Sequence, residues 1–416
     1  MNTNISKGTV SGRIVAPPSK SYAHRLLIAS FLASLARTGS GGACRVSGIA
    51  ISDDIAATLD CLRRLGARFS IRGGAVLFEP LESLQASESE LVLDCRESGS
   101  TLRFLIPVAL ELNHARRVTM RGTLKLMSRG LDAYEMVFER NAVSFSHESE
   151  SFSFCGRLTE SEFVVPGNAS SQYVTGLLFA LSIREGDSKI ILDGDVESLP
   201  YISMTIDVLS MFGINVVFSG EEIRIRGGQK YRSGIRMVEG DYSNAAFFEA
   251  FNYIGGANRV IVDGLKADSL QGDKAYEKLF PLLAGNEMPT ICISDCIDLG
   301  PVLFMLAAAN NGAVFTGVGR LRMKESDRIA CMSAELRKFG AEIDESDDVV
   351  FVRNAALHAP AVPLDGHNDH RIVMALAVLL TKFGGVIEGS EAVGKSFPDF
   401  FEKLGEIGIR CEHFQG

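Results

Sequence analysis

Four short stretches concentrate side chains that can bind anions and move protons. Leu321-Arg322-Met323-Lys324-Glu325-Ser326-Asp327-Arg328 puts three cations and two carboxylates into one run. A carboxylate beside a lysine suits proton transfer, because a neighbouring cation and burial both retune it. Arg328 offers a planar fork matched to a carboxylate or phosphate. An exposed ion-pair face accounts for the same run equally well. In Pro17-Pro18-Ser19-Lys20-Ser21-Tyr22-Ala23-His24-Arg25, Ser19 or Ser21 can cap a helix, which sets Lys20 and Arg25 near an anion-favouring N-terminus. Asn368-Asp369-His370-Arg371 opens an apolar helical run, and Gly394-Lys395-Ser396-Phe397-Pro398-Asp399-Phe400-Phe401 holds a lysine in a glycine-led loop. His367 and His370 have the spacing of a metal pair without a third ligand nearby, and the GKS lacks the upstream glycines of a P-loop.

The elements that must position these groups repeat. An apolar helical pattern ending in glycine, followed by a short strand, occurs at Gly66, Gly213, Gly340 and Gly408, where glycine supplies a left-handed turn. Weaker copies stand at Asn141, where asparagine takes the glycine place, and at Gly285. The spacing predicts six copies of one α/β unit. In phase with these marks, small or polar helix starts recur at Ser21, Ser98-Gly99-Ser100, Ser170-Ser171-Gln172, Ser243-Asn244, Asp298 and Asp369-His370. Bases crowd the same places: Lys20, Arg25, Arg103, Arg328, Arg371 and Lys395. Capping explains the serines and aspartates, but not the bases. In the first such helix the buried face is read as Ala23, Leu26, Leu27 and Phe31.

At 416 residues the chain is long enough for two or more domains. Its 46% hydrophobic and 22% charged residues describe a globular protein, and a net charge of −9 argues against nucleic acid or a membrane surface as partner. The N-terminal run MNTNISKGTVSGR lacks a signal peptide's apolar core, and no apolar run reaches the roughly 20 residues of a membrane helix. Eight cysteines without a CxxC pair read as reduced core thiols of a cytoplasmic protein.

The ordered set SKSYAHR, SGSTLR, NASSQY, LPYIS, VEGDYSNA, LRMKESDR, NDHR and GKSFPDFF resembles the 5-enolpyruvylshikimate-3-phosphate synthase family over essentially the whole chain. The resemblance implies an α/β fold of two similar domains, each of three βαβαββ repeats arranged as an inside-out α/β barrel. Residues 1–18 and 238–416 would form one domain and 19–237 the other, with the active site in the cleft between them. It implies transfer of the carboxyvinyl group of phosphoenolpyruvate to the 5-hydroxyl of shikimate 3-phosphate, through a tetrahedral intermediate and with release of phosphate. These small molecules are the implied partners of a monomer that uses no metal and no organic cofactor.

By motif, Asp298, Glu325 and Lys20 resemble the catalytic groups: a base for the 5-hydroxyl, a second acid/base, and a lysine touching both substrates. Ser21, Arg25, Ser170, Ser171, Gln172, Ser198, Tyr201 and Lys324, with Lys20 and Asp298, resemble the shikimate-3-phosphate contacts. Gly99, Lys125, Arg328, Arg371 and Lys395, with Lys20 and Gln172, resemble the phosphoenolpyruvate contacts. Two residues depart from the family pattern. Lys125 stands where an arginine is usual and cannot form its bidentate fork, and Arg320 stands where asparagine is frequent. The sister transferase acting on UDP-N-acetylglucosamine shares the implied fold, but its loop cysteine is missing between Arg121 and Gly130. A non-catalytic anion-binding relative is the competing reading of another class.

Overall fold

Strand, helix, parallel strand, helix and antiparallel hairpin follow one another from Glu90 to Cys155, and the same order recurs along the chain. The computed structural model describes residues 1–84 and 90–415. Its chain divides into two units, Met1–Pro17 with Gly240–Gly416, and Pro18–Glu239.

In the unit Pro18–Glu239, one sheet runs Glu90–Asp94, Arg117–Arg121, Ser151–Cys155, Ser144–His147. The first pair is parallel, with Glu90 opposite Arg117, and the rest antiparallel. A parallel pair needs a crossover, supplied here by the helix Gly99–Leu112. A second sheet repeats the order with Glu162–Pro166, Ser188–Asp193, Glu222–Ile225 and Val216–Phe218 around the helices Ser171–Leu181 and Leu199–Met211. The third borrows its first strand, Ile235–Met237, from the far end of the unit's sequence and pairs it in parallel with Cys44–Ser47.

The helix Lys20–Ser34 is buried from Tyr22 to Ser34 on every face, not only along the stripe that periodicity marks. Helices Gly99–Leu112 and Ser171–Leu181 pack together through Gly176, whose missing Cβ would lie 2.4 Å from the Arg103 carbonyl oxygen. A single methyl there would force the pair apart.

In the unit Met1–Pro17 with Gly240–Gly416, one sheet runs Thr290–Cys292, Ala313–Thr316, Val349–Val352, Ile343–Glu345. Another is completed by the chain's first strand: Asn2–Ile5 lies antiparallel between Gly385–Glu388 and Cys411–Phe414. The remaining sheet has two strands, Ser11–Val15 parallel to Arg259–Asp263. Among the described residues, this repeat lacks the expected hairpin. The helix Tyr276–Leu283 leads directly to Thr290–Cys292, the first strand of the next repeat. Gly285 accordingly shows no left-handed turn. The edge left open is closed by side chains: the Asn252 amide accepts from Val260 N and donates to Val260 O, both at 2.9 Å. An edge capped in this way does not invite another strand.

Each unit has its own apolar core. Gly66, Gly213, Gly340 and Gly408 take left-handed φ values, as their places require. In the Asn141 copy the left-handed residue is Ala142, at φ 51°, while the Asn141 side chain accepts from Thr159 N and Glu160 N. All eight cysteines are free thiols, but Cys292 is exposed, so they are not uniformly core residues. Among the described residues, no helix is long and apolar enough to cross a membrane.

Candidate active site

In the unit Met1–Pro17 with Gly240–Gly416, the motif at 321–328 splits by direction. Arg322 turns to the surface, 2.9 Å from Asp327 Oδ2, as the ion-pair reading allows. Lys324, Glu325 and Arg328 turn inward. Arg328 opens the helix Arg328–Arg337, capped by Asp327, and is 1% exposed. Its guanidinium meets three carboxylates: Asp369 at 2.8 Å, Glu325 at 2.7 Å and Asp298 at 2.9 Å. Ser326 Oγ also donates to Asp369 Oδ2 at 3.0 Å.

Asp298 lies in the 3-10 turn Ile297–Leu299, ahead of the helix Gly300–Ala309, and does not cap that helix. It is held by Arg328, by Arg371 Nη2 at 3.2 Å and by Lys324 Nζ at 3.3 Å. Burial alone pushes its pKa up, but Arg371, Lys324 and Arg328 outweigh burial and hold the carboxyl well below the usual range. Burial pulls the Lys324 ammonium down, with Asp298 opposing. Asp369 caps the helix His370–Phe383 by accepting from Arg371 N at 2.9 Å, so the NDHR motif sets Arg371 at a helix N-terminus. Arg371 also donates to Ser243 Oγ at 3.0 Å. Ser243 and Asn244 do not cap their helix, Tyr242–Glu249; Asp241 does, accepting from Asn244 N at 2.9 Å. Lys395 ends the 3-10 segment Ser390–Lys395 and donates to the Asn368 carbonyl at 2.7 Å. Arg320 donates to the Ser294 carbonyl at 2.5 Å.

In the unit Pro18–Glu239, Ser19 caps the helix Lys20–Ser34. That leaves Lys20 on its first turn, paired with Asp54 Oδ2 at 2.7 Å. Arg25 is buried among polar oxygens: Thr205 Oγ1 at 2.8 Å, the Ser21 carbonyl at 2.8 Å and the Tyr201 carbonyl at 3.2 Å. Burial lowers its pKa to about 10. Ser170 caps the helix that begins at Ser171, which is buried. Gln172 accepts from Arg103 Nη1 at 3.0 Å and donates to Ser100 Oγ at 3.1 Å. Ser198 precedes the helix Leu199–Met211 in a left-handed conformation, φ 59°, a strained geometry for serine.

Gly99 forms a floor over which cations lean. A Cβ built there would lie 3.3 Å from both Arg103 Nη1 and Arg129 Nη1, and 3.7 Å from Gln172 Oε1. Arg129 was not among the expected site residues. Lys125, which was, sits exposed on the short helix Leu124–Met127 beside a surface depression lined also by His147 and Glu148. Sequence register placed Lys125 in the loop, but only the helical turn reveals which base leans toward Gly99.

The fold is that of solved enolpyruvyl transferase structures. It is similar to EPSP synthase from Acinetobacter baumannii (TM-score 0.78 at 23% identity, covering 99% of this chain and 100% of that one). It is also similar to the enolpyruvyl transferase NikO from Streptomyces tendae (0.74 at 15%, covering 100% and 99%). Among curated relatives, the 3-phosphoshikimate 1-carboxyvinyltransferase of Clostridium novyi is 37% identical, covering 98% of each chain, and that of Clostridioides difficile 35%, covering 99% of this chain and 98% of the other. Residues 5–286 and 280–404 match the family model of EPSP synthase (3-phosphoshikimate 1-carboxyvinyltransferase), and the chain belongs to that family.

Proposed function

We propose that this protein transfers the carboxyvinyl group of phosphoenolpyruvate to the 5-hydroxyl of shikimate 3-phosphate, releasing phosphate. Family membership supports the reaction. Asp298, a carboxylate gripped by Arg328, Arg371 and Lys324, is the single observation that carries the mechanism.

The substrates bring phosphate and carboxylate groups that compete for those cations. As the anionic groups of phosphoenolpyruvate draw on Arg371 and on the Nη1 edge of Arg328, Asp298 loses part of the positive charge that depresses its pKa and becomes a better base. It then takes the proton of the 5-hydroxyl as that oxygen bonds to C2 of phosphoenolpyruvate. A proton delivered to C3 completes a tetrahedral adduct, with Lys20 and Glu325 as the candidate donors. Elimination returns a proton from the new methyl group to Glu325 as the C2–O bond breaks and phosphate leaves. Arg25, Ser21, Ser170, Ser171, Gln172, Ser198, Tyr201 and Lys324 hold the acceptor and its phosphate. Gly99, Arg328, Arg371 and Lys395 hold phosphoenolpyruvate, with Lys125 replaced in that role by Arg129. The units Met1–Pro17 with Gly240–Gly416 and Pro18–Glu239 serve as the two domains. The enzyme works in the cytoplasm without a cofactor, as a monomer whose units each close their own core.

The test is phosphate release from phosphoenolpyruvate with shikimate 3-phosphate or UDP-N-acetylglucosamine as acceptor. Release with the first alone, reduced about 100-fold or more in Asp298→Asn, supports the reading. Release only with the second replaces it.

A further inference from the structure

We infer that His367 and Glu335 are positioning residues for the phosphoenolpyruvate-binding cations, joining the helix that carries Arg328 to the turn that orients Asp369, Arg371 and Lys395. The inference rests on the functional reading above.

The turn is strained. His367 and Asn368 are consecutive non-glycine residues with φ of +49° and +52°, a left-handed pair that L side chains rarely adopt in succession. The strain has a local product: it delivers the Asn368 carbonyl to Lys395 Nζ at 2.7 Å. It also delivers the Asp369 carboxylate to Arg328 Nε at 2.8 Å and to Arg371 N at 2.9 Å. One buried acid holds the turn in place. Glu335, 2% exposed, lies two helical turns beyond Arg328 on the helix Arg328–Arg337. Its Oε1 is 3.0 Å from His367 Nε2, and its Oε2 accepts from Asp365 N at 2.9 Å and Lys338 Nζ at 2.8 Å. The path from Arg328 through Glu335, His367 and Asp369 back to Arg328 is therefore a closed ring of covalent and hydrogen-bonded links. A surface ion pair needs no such ring, and the three partners offset the cost of burying the Glu335 carboxylate while tying the turn to the helix.

Steady-state kinetics of His367→Gly and Glu335→Gln test this. Glycine keeps the left-handed turn and deletes the imidazole with its tether to Glu335. The expected result is a KM for phosphoenolpyruvate raised about 10-fold or more, with the KM for shikimate 3-phosphate within 2-fold of wild type and partial rescue of His367→Gly by added imidazole. Wild-type phosphoenolpyruvate KM in both variants would overturn the inference, as would equal loss for both substrates. If the wild-type chain transfers no carboxyvinyl group, the functional reading fails by itself. Calorimetric binding of phosphoenolpyruvate to wild type and His367→Gly then decides the positioning role, with an unchanged Kd counting against it.

Discussion

Arg328 and Asp369, 1% and 0% exposed, are joined by two hydrogen bonds, Nε–Oδ2 at 2.8 Å and Nη2–Oδ1 at 3.3 Å. Asp369 thereby does two things at once: it fixes the guanidinium and caps the helix that carries Arg371. Removing one partner of a buried pair strands the other. Asp369→Ala is expected to cost about 3 kcal/mol in urea unfolding. A loss below about 1 kcal/mol would mean that Asp298 and Glu325 already suffice to hold Arg328.

Gly99→Ala separates the site from the fold. The added methyl would press on the ends of Arg103, Arg129 and Gln172, which are flexible side chains and not backbone. Stability should change by less than about 1 kcal/mol, while the KM for phosphoenolpyruvate rises about 10-fold. An unchanged KM in a folded variant would remove Gly99 from the phosphoenolpyruvate contacts.

Arg129 and Lys125 make a paired comparison. Arg129 leans over Gly99 and Lys125 is exposed. Arg129→Ala is expected to lower kcat/KM for phosphoenolpyruvate by about 100-fold, and Lys125→Ala by less than about 3-fold. The reverse order would restore Lys125 as the gripping base.

His367 gives a pH signature. Its bonds to Cys331 and Glu335 push its pKa from 6.5 up to about 10, against burial, with Asp365 adding to the rise. Lys338 also faces Glu335. A raised folded pKa stabilises fully below the unfolded value and fades as pH rises through the folded one. Wild type should therefore exceed His367→Gln in unfolding free energy at pH 6, and the gap should close above about pH 10. A gap constant across that range would show that the imidazolium is not what holds Glu335.

Much of this was legible in the sequence because it is local. Serine caps at Ser19, Ser98 and Ser170 and the glycine stops at Gly66, Gly213, Gly340 and Gly408 are written within one helical turn of their effect. So is the density of charge around Glu325. What was hidden depends on distance in the chain. The Asp369–Arg328 pair joins residues 41 apart, and Glu335–His367 residues 32 apart. Periodicity marks one face of Lys20–Ser34, but the helix is enclosed on all sides, which a moderately polar sequence does not announce. Ala142 takes a glycine's conformation because Asn141 is engaged with Thr159 and Glu160, a tertiary demand overriding local preference. The missing hairpin after Tyr276–Leu283 left a similar glycine mark at Gly285, and only strand pairing shows that the next strand opens another repeat.

The most direct measurement is NMR of phosphoenolpyruvate and shikimate 3-phosphate incubated with the enzyme in D₂O. Addition and elimination through a methyl-bearing adduct predicts a new enol ether on the 5-oxygen, phosphate in equal amount, and deuterium in its vinyl methylene. All three signals should slow together in Glu325→Gln. Phosphate appearing with pyruvate and unmodified shikimate 3-phosphate would contradict the account, as would an enol ether formed at an undiminished rate by Glu325→Gln.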